Sequence, residues 1–296
     1  MATVASRVYR PSDFSEGVWH EALVTLGKKG FSPEMAAQVV NTKSHMAEAI
    51  IRLFQVLQET SGLVSQTTHP LSKFFGQGVV VDPLPPEFTE PNLAKWAKFN
   101  LKPVFLPHEE INPDRQLKGW IKLEEWFYNQ IRIGNLSSDS AMLYGGWYLA
   151  DFTPGVDYTD GTQIFPNDPL APIVAQLREE GKVGKHDNTP LGSRFSITPD
   201  EWTDVVCPAI ANHLGFKPDQ VRLERAIEFN AIGNLYDPNR GKFNMWEWFH
   251  DHYNHFGASY RLFGGHRVDG GLARVCCSWS GCRRDDIAGC PLVSFR

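Results

Sequence analysis

Three charged side chains, Arg222, Glu228 and Glu247, are embedded in apolar patterns, within Val221 to Phe229 (which also carries Glu224 and Arg225) and Asn244 to Trp248. A charge in such a run is carried into the core with its neighbours, and a buried charge without a partner is strongly destabilising. The chain must therefore fold so that distant segments bring counter-charges to these positions, and the pattern predicts a structural ion-pair network. Nine Trp and nineteen Phe point the same way, to a core packed by rings over short elements.

With 296 residues, 42% hydrophobic and 21% charged, the chain can form one large domain or two ordinary ones. A net charge of −5 and the lack of a basic run argue against a nucleic-acid partner and give no attraction to an anionic membrane. No stretch of 18 uninterrupted apolar residues is present, so no membrane span is expected. Residues Met1 to Asp13 lack the apolar core of a secretory signal, which predicts synthesis and first folding in the cytoplasm. Five Cys, an odd number, do not suit a secreted disulfide framework. Cys207 stands alone, whereas Cys276, Cys277, Cys282 and Cys290 crowd the C-terminus.

Punctuation along the chain predicts two regions, a helical one over 1–62 and a single α+β domain over 63–296. Residues 32–61 read as one helix, with Ser32 as cap, Pro33 at the first position and Ser61-Gly62 as stop. Val79-Val80-Val81 reads as a strand, residues 117–133 as a helix, and Met142 to Phe152 as a buried strand. Asn167-Asp168-Pro169 opens a helix that Gly181 ends. Thr198-Pro199-Asp200-Glu201 is a capping box, and its helix runs toward Gly215 with a bend expected at Pro208. A further helix is expected from Pro218 to Ile232, stopped by Gly233-Asn234, followed by short aromatic strands.

Four ordered blocks carry a resemblance. Val221-Arg222-Leu223-Glu224-Arg225-Ala226-Ile227-Glu228-Phe229 is similar to "RLPTEAEWE", and Asn244-Met245-Trp246-Glu247-Trp248 to "GNVWEW". Arg261-Leu262-Phe263-Gly264-Gly265 resembles "RVLRGG", and Asp286-Ile287 with Pro291-Leu292-Val293 resembles the closing "IGFRPV". These are signatures of the formylglycine-generating-enzyme superfamily, a branch of the C-type lectin fold, and they span about residues 195–296. The resemblance implies a C-type-lectin-like domain. It leaves two functions open: a copper-dependent oxidase, or the variable protein of a diversity-generating retroelement, whose C-terminal segment is mutagenised at adenines to make new binding surfaces.

Composition of the tail bears on that choice. Adenine mutagenesis of AAC or AAT codons cannot produce Lys, Glu, Gln, Met or Trp. The first four account for 45 residues of the chain, yet residues 256–296 contain none of them, where the chain's average would place about six. Cys is in the accessible set, and conventional surfaces avoid exposed thiols. Trp279 is outside the set and reads as scaffold, and Gly264-Gly265 reads as a tight backbone approach or a positive φ. For the oxidase, Cys277 and Cys282 have the C-x4-C spacing of the family's copper pair, and thiolates select Cu(I). Against it, only seven residues separate Cys282 from Cys290. Structural zinc on the four clustered Cys lacks C-x2-C spacing.

His250-Asp251-His252-x-x-His255 could collect imidazoles on a metal, or form a polar surface loop in which these His and Tyr253 rim a binding face. The expected reading is a binding protein with no catalytic residue, metal or cofactor. Its variable segment covers about 266–290, and ligand contacts come from Arg274, Cys276, Cys277, Ser278, Ser280, Gly281, Cys282, Arg283 and Arg284, with Arg as the anchor. The implied ligand is a protein or other cell-surface receptor, as in phage tropism or adhesion. A virion-surface or cytoplasmic location and homo-oligomer or virion assembly follow from the same reading.

Overall fold

In the computed structural model the chain divides between Gly62 and Leu63. The residues described are 63–295, except 65–66, 77–78 and 256; the helix expected over 32–61 and the region 1–62 lie outside them. The described part is a mixed α+β fold with a curled half-barrel of strands and several helices.

One sheet combines β1 (Leu101–Leu106), β4 (Gly146–Asp151), β5 (Val221–Leu223) and β10 (Pro291–Ser294) in the order β1-β4-β10-β5. All of its pairings are antiparallel, so β10 is a central strand built from the last residues described. The other four-stranded sheet runs β8-β7-β6-β9, from β6 (Trp246–His255), β7 (Ala258–Gly264), β8 (Val275–Trp279) and β9 (Ile287–Gly289). β9 lies parallel to β6, and β8 is an edge. A two-residue ladder joins β2 (Glu109–Glu110) to β3 (Met142–Leu143). The expected strand at Met142 to Phe152 is present as β3 and β4, and its burial comes from pairing on both sides.

Five helices are used below: α1 (Glu90–Ala97), α2 (Glu125–Arg132), α3 (Ala171–Glu179), α4 (Cys207–Leu214) and α5 (Ala226–Leu235). α3 stops where the sequence indicated, with Gly181 at φ +71°. At Thr198 the capping box forms in both directions: Glu201 N–H donates to Thr198 Oγ1 at 3.1 Å and Thr198 N–H donates to Glu201 Oε2 at 2.9 Å. The bend expected at Pro208 takes the form of a π-helical turn, Trp202–Val206, immediately before α4. Proline offers no N–H for the regular ladder, and the extra residue absorbs the mismatch.

Three expectations are corrected. Val79 to Val81 forms no strand, because Val80 is 80% exposed and the segment has no ladder partner. Of residues 117–133 only α2 is helical. The chain from Pro218 to Ile232 is a 3-10 turn, then β5, then α5, and Gly233 lies within α5 rather than ending it. Leu223 and Val221 pair with β10, so ladder bonds override local helix preference there. Gly233 serves packing: a Cβ on it would stand 2.4 Å from Leu272 Cδ1.

Arg222 and Glu228 pair with each other, and Glu247 stands in the field of Arg240. Arg222 makes a bidentate contact with Glu228, both distances 2.7 Å, and Glu228 also accepts the Arg225 N–H at 2.9 Å. Burial acts to raise the Glu228 carboxyl, but Arg222 and Arg225 prevail and hold it down at about 2. Arg240 pairs with Glu224 and donates to Asp151 O at 2.8 Å. Burial raises both Glu247 and Glu224 against the opposing charge of Arg240, and Glu247 adds to the rise at Glu224. Arg194, fully buried, grips Asp168 through two bonds of 2.7 and 2.6 Å and also pairs with Asp151. That triad ties the end of β4 to the chain entering α3.

Gly264 and Gly265 satisfy both roles read from the sequence. A Cβ on Gly264 would lie 2.2 Å from the Arg274 backbone oxygen, and Gly265 has φ +93°. Replacing Arg194 with Met leaves two buried carboxylates uncompensated and should destabilise the protein by about 3–5 kcal/mol, read by urea unfolding. Gly264→Ala forces backbone apart from backbone and should cost at least about 1–3 kcal/mol in a thermal scan.

Candidate ligand-binding surface

β8 carries Cys276, Cys277 and Ser278 in register with Phe263, Leu262 and Arg261 of β7. All three are half-buried, and the strand ends on Trp279, whose ring is 61% exposed. Directly paired residues share a face, so Cys277 lies beside Leu262 and Trp279 beside Tyr260, which in turn faces Tyr253 on β6. Trp126 of α2 completes an aromatic wall, with ring centroids 5.7 Å from Tyr253, and Tyr253 is 6.0 Å from Tyr260. Together with Arg274, Val275, Cys276 and Cys277 these rings enclose an open concavity of about 360 Å³.

A second concavity, about 230 Å³, is lined by Tyr158, Asn244, Trp246, His266, Arg284, Asp285 and Asp286. Trp246 stacks on His266 at 4.8 Å and meets Phe263 edge-on. Trp248 is buried in the core, as expected, whereas half-buried Trp246 serves both the core and this concavity.

The expected contact residues therefore separate into groups. Arg274, Cys276 and Cys277 meet at the aromatic concavity, and Arg284 at the polar one. Ser278 stands between them on β8. Ser280 is buried, with its N–H donating to Ser259 O at 3.2 Å. Gly281 lies under the Trp279 ring, and Cys282 N–H closes the turn onto Trp279 O at 2.9 Å.

Arginine as free anchor is revised. Arg283 donates twice to Glu201 and once to Ser196 O, all at 2.7 Å. Burial works to raise Glu201, but Arg283 and the N–H groups of Gly184 and Thr198 hold it below the usual carboxylate range. Arg283 thus pins the loop to the capping box and belongs to the frame. Arg274 donates to Glu124 at 2.8 Å, and Arg284 is bound to Asp286 at 2.9 and 2.6 Å while covering the Phe263 ring. Each keeps solvent exposure, but a ligand must compete with an existing carboxylate.

The limit of the segment at 290 is also revised. Ile287, Ala288, Gly289 and Cys290 are buried, and a Cβ on Gly289 would stand 2.3 Å from the Trp202 ring. The solvent-reached part of the expected segment ends at about Asp286. Trp279 anchors no core: it is the exposed end of an edge strand.

His250 and His252 lie on β6, not in a loop, with ring centroids 6.2 Å apart. A bulge sets Phe249, His250 and Asp251 opposite the single residue Leu262. It lets Asp251 accept the Ala226 N–H at 2.7 Å and His250 N–H donate to Glu224 O at 2.7 Å. The His255 side chain lies outside the described residues. Among the described residues no three His, Cys, Asp or Glu side chains converge as a metal set. Burial and the adjacent Cys276 push the Cys277 thiol up to about 11, so copper there must displace a proton.

Sequence reasoning missed Trp126, Tyr260 and Glu124 as members of this surface. Tyr253 was legible as a rim residue from its place after the Trp-Glu-Trp run; the others come from segments brought in only by tertiary packing. The chain matches no protein-family model, no curated protein and no solved structure. Among the described residues no helix is long and apolar enough to cross a membrane.

Burial, with Arg222 and Arg261 nearby, pushes His250 down to about 4. Its folded value lies below the ordinary 6.5, so the unfolded chain takes up a proton that the folded one refuses. This contribution to stability is complete above pH 6.5 and is lost as pH falls toward 4. His250→Gln should flatten that part of the stability–pH curve by a slope of up to about one proton, measured by denaturant unfolding at stepped pH.

Proposed function

We propose that the protein is a ligand-binding display protein with a C-type-lectin-like domain, in which the surface between Arg274 and Asp286 is diversified to recognise different targets. One observation carries this reading. The 41-residue stretch without Lys, Glu, Gln or Met includes a sheet edge and the rims of two concavities, set against a fixed aromatic and ionic frame. Accessible letters occupy the half-exposed positions Arg274, Cys276, Cys277, Ser278, Cys282 and Arg284. Positions where a side chain would strike backbone or a buried ring, Gly264 and Gly289, are glycine.

The activity is binding, without a catalytic group or cofactor. The aromatic concavity offers Trp126, Tyr253 and Tyr260 as rigid walls common to all variants, and the β8 side chains set its shape and polarity. Such a surface suits a protein or another cell-surface receptor. Display in several copies, on a virion or in a homo-oligomer, would raise a modest single-site affinity. Neither nucleic acid nor membrane is a partner in this reading.

Sequencing the 3′ end of the gene across a natural population tests it. Substitutions should concentrate in codons that keep a 3′ pyrimidine, at Arg274, Cys276, Cys277, Ser278 and Arg284, with Trp279, Gly264-Gly265 and residues 287–293 constant. A uniform tail with Cys277 and Cys282 unchanged would sink the proposal and direct the next measurement to copper titration of those two thiols.

A further inference from the structure

Among the described residues, strand β8 pairs with another strand on one side only. Which of its backbone groups face outward follows from the ladder, because residues of an antiparallel strand alternate between exchanging bonds with the neighbour and facing away. Gly265 N–H donates to Arg274 O at 3.3 Å, and Ser280 N–H donates to Ser259 O at 3.2 Å. With Cys276 opposite Phe263 and Ser278 opposite Arg261, the even-numbered residues are the ones that bond to β7. Val275, Cys277 and Trp279 face away. The Val275 N–H agrees, since it donates to Glu124 Oε1 at 2.9 Å instead of to β7.

The outer edge consequently presents Val275 C=O, Cys277 N–H and C=O, and Trp279 N–H, with no strand partner among the described residues. Cys277 O meets only the Cys276 thiol from its own strand, at 3.9 Å, a weak contact that an amide donor would displace. Both ends of the edge are closed. The Glu124 carboxylate occupies the first N–H, and the Trp279 C=O is taken by Cys282 N–H at 2.9 Å.

The length of this edge selects its occupant. Five residues of strand span about 17 Å. A stable homodimer needs about 800 Å² from each partner, far more than so short a ladder supplies. An extended segment of a few residues fits it. On the face shared by Cys277 and Trp279, a residue of that segment opposite Cys277 would stand at the mouth of the concavity that Cys277 lines together with Tyr260, Tyr253 and Trp126.

We infer that the β8 edge receives an extended peptide segment of a protein ligand, which adds as a further strand and directs an apolar side chain into the mouth of the concavity walled by Tyr260, Tyr253 and Trp126. Its biological meaning rests on the binding function proposed above. Backbone pairing does not depend on the side chains of β8. Those side chains could therefore be exchanged to change specificity while the hydrogen bonds that hold the segment stay the same.

The test uses the full chain and a phage-displayed library of random dodecapeptides. In the free protein, hydrogen exchange should be fast at the Cys277 and Trp279 amides and slow at Cys276 and Ser278. Selected peptides should carry an apolar residue flanked by extended segments and should slow exchange at Cys277 and Trp279. N-methylating alternate peptide amides should weaken binding roughly tenfold or more, the loss of about one hydrogen bond's worth of affinity, while methylating the intervening ones should not. Cys277→Pro removes the outward N–H without touching the ladder to β7, and should abolish binding with the melting transition retained.

Four results would overturn the inference: no peptide enriched, peptides indifferent to N-methylation, protection confined to another surface, or Cys277 amide protection that tracks concentration-dependent dimerisation. The last assigns the edge to a second copy of the chain. The two proposals fail separately. A uniform tail in natural populations with alternating N-methyl sensitivity removes diversification and keeps the strand site, and the opposite pair of results does the reverse.

Discussion

Arginine burial is the constraint on which the described fold depends. Arg194 and Arg240 stand where separate segments meet and are held by carboxylates from another element, while Arg222 fastens the start of α5 to β5 through Glu228, six residues on. Arg178 does comparable work without a carboxylate, donating to the carbonyls of Pro190, Leu191, Ser193 and Phe195. Guanidinium suits this role because its planar fork satisfies several acceptors at once and keeps its charge when desolvated. Isolated ion pairs are weak evidence for stability, but an interlocked set has another effect: it admits few alternative packings of the same segments. A chain with short helices and short strands needs such fixed points, since no single element is long enough to specify its neighbours.

On that frame the two four-stranded sheets have different tasks. β1, β4, β5 and β10 are joined to the Arg194 and Arg240 clusters through Asp151, at the end of β4. The sheet of β6 to β9 carries the open edge and both concavities. Its bulge at Phe249–Asp251 ties it to the start of α5 through Asp251, so this sheet is registered against the ionic core. On the outer strand Val275 is a core residue, whereas Cys276, Cys277 and Ser278 are half-buried and leave more room for exchange. Arg283 is the exception. It lies inside the segment yet fastens the loop to Glu201, and its exchange would release the turn.

Local punctuation was legible in the sequence, because caps and stops act over a few residues: the box at Thr198, the stop at Gly181 and the bend before α4 need no distant partner. The need for counter-charges at Arg222, Glu228 and Glu247 was also legible, but their identities were not, since Arg225 is a neighbour while Arg240 arrives from across the fold. β5 was misread as helix because its three residues have no period of their own and are fixed by β10. Within the candidate site, Tyr253 could be picked out by its position, whereas Trp126 and Glu124 belong to a segment that sequence places some 150 residues from Arg274 and Val275. The engagement of Arg274 and Arg283 was hidden for the same reason, whereas Arg284 takes Asp286, two residues on.

The order of the last strands has a consequence for how variants are made. Whatever the letters between Arg274 and Asp286, the residues after them must still be translated in frame to supply β9 and then β10, which lies between β4 and β5. A stop or a frameshift inside the segment leaves one sheet split through its middle and removes the parallel strand from the other. Folding thereby proofreads the message: only a tail decoded in frame completes both sheets.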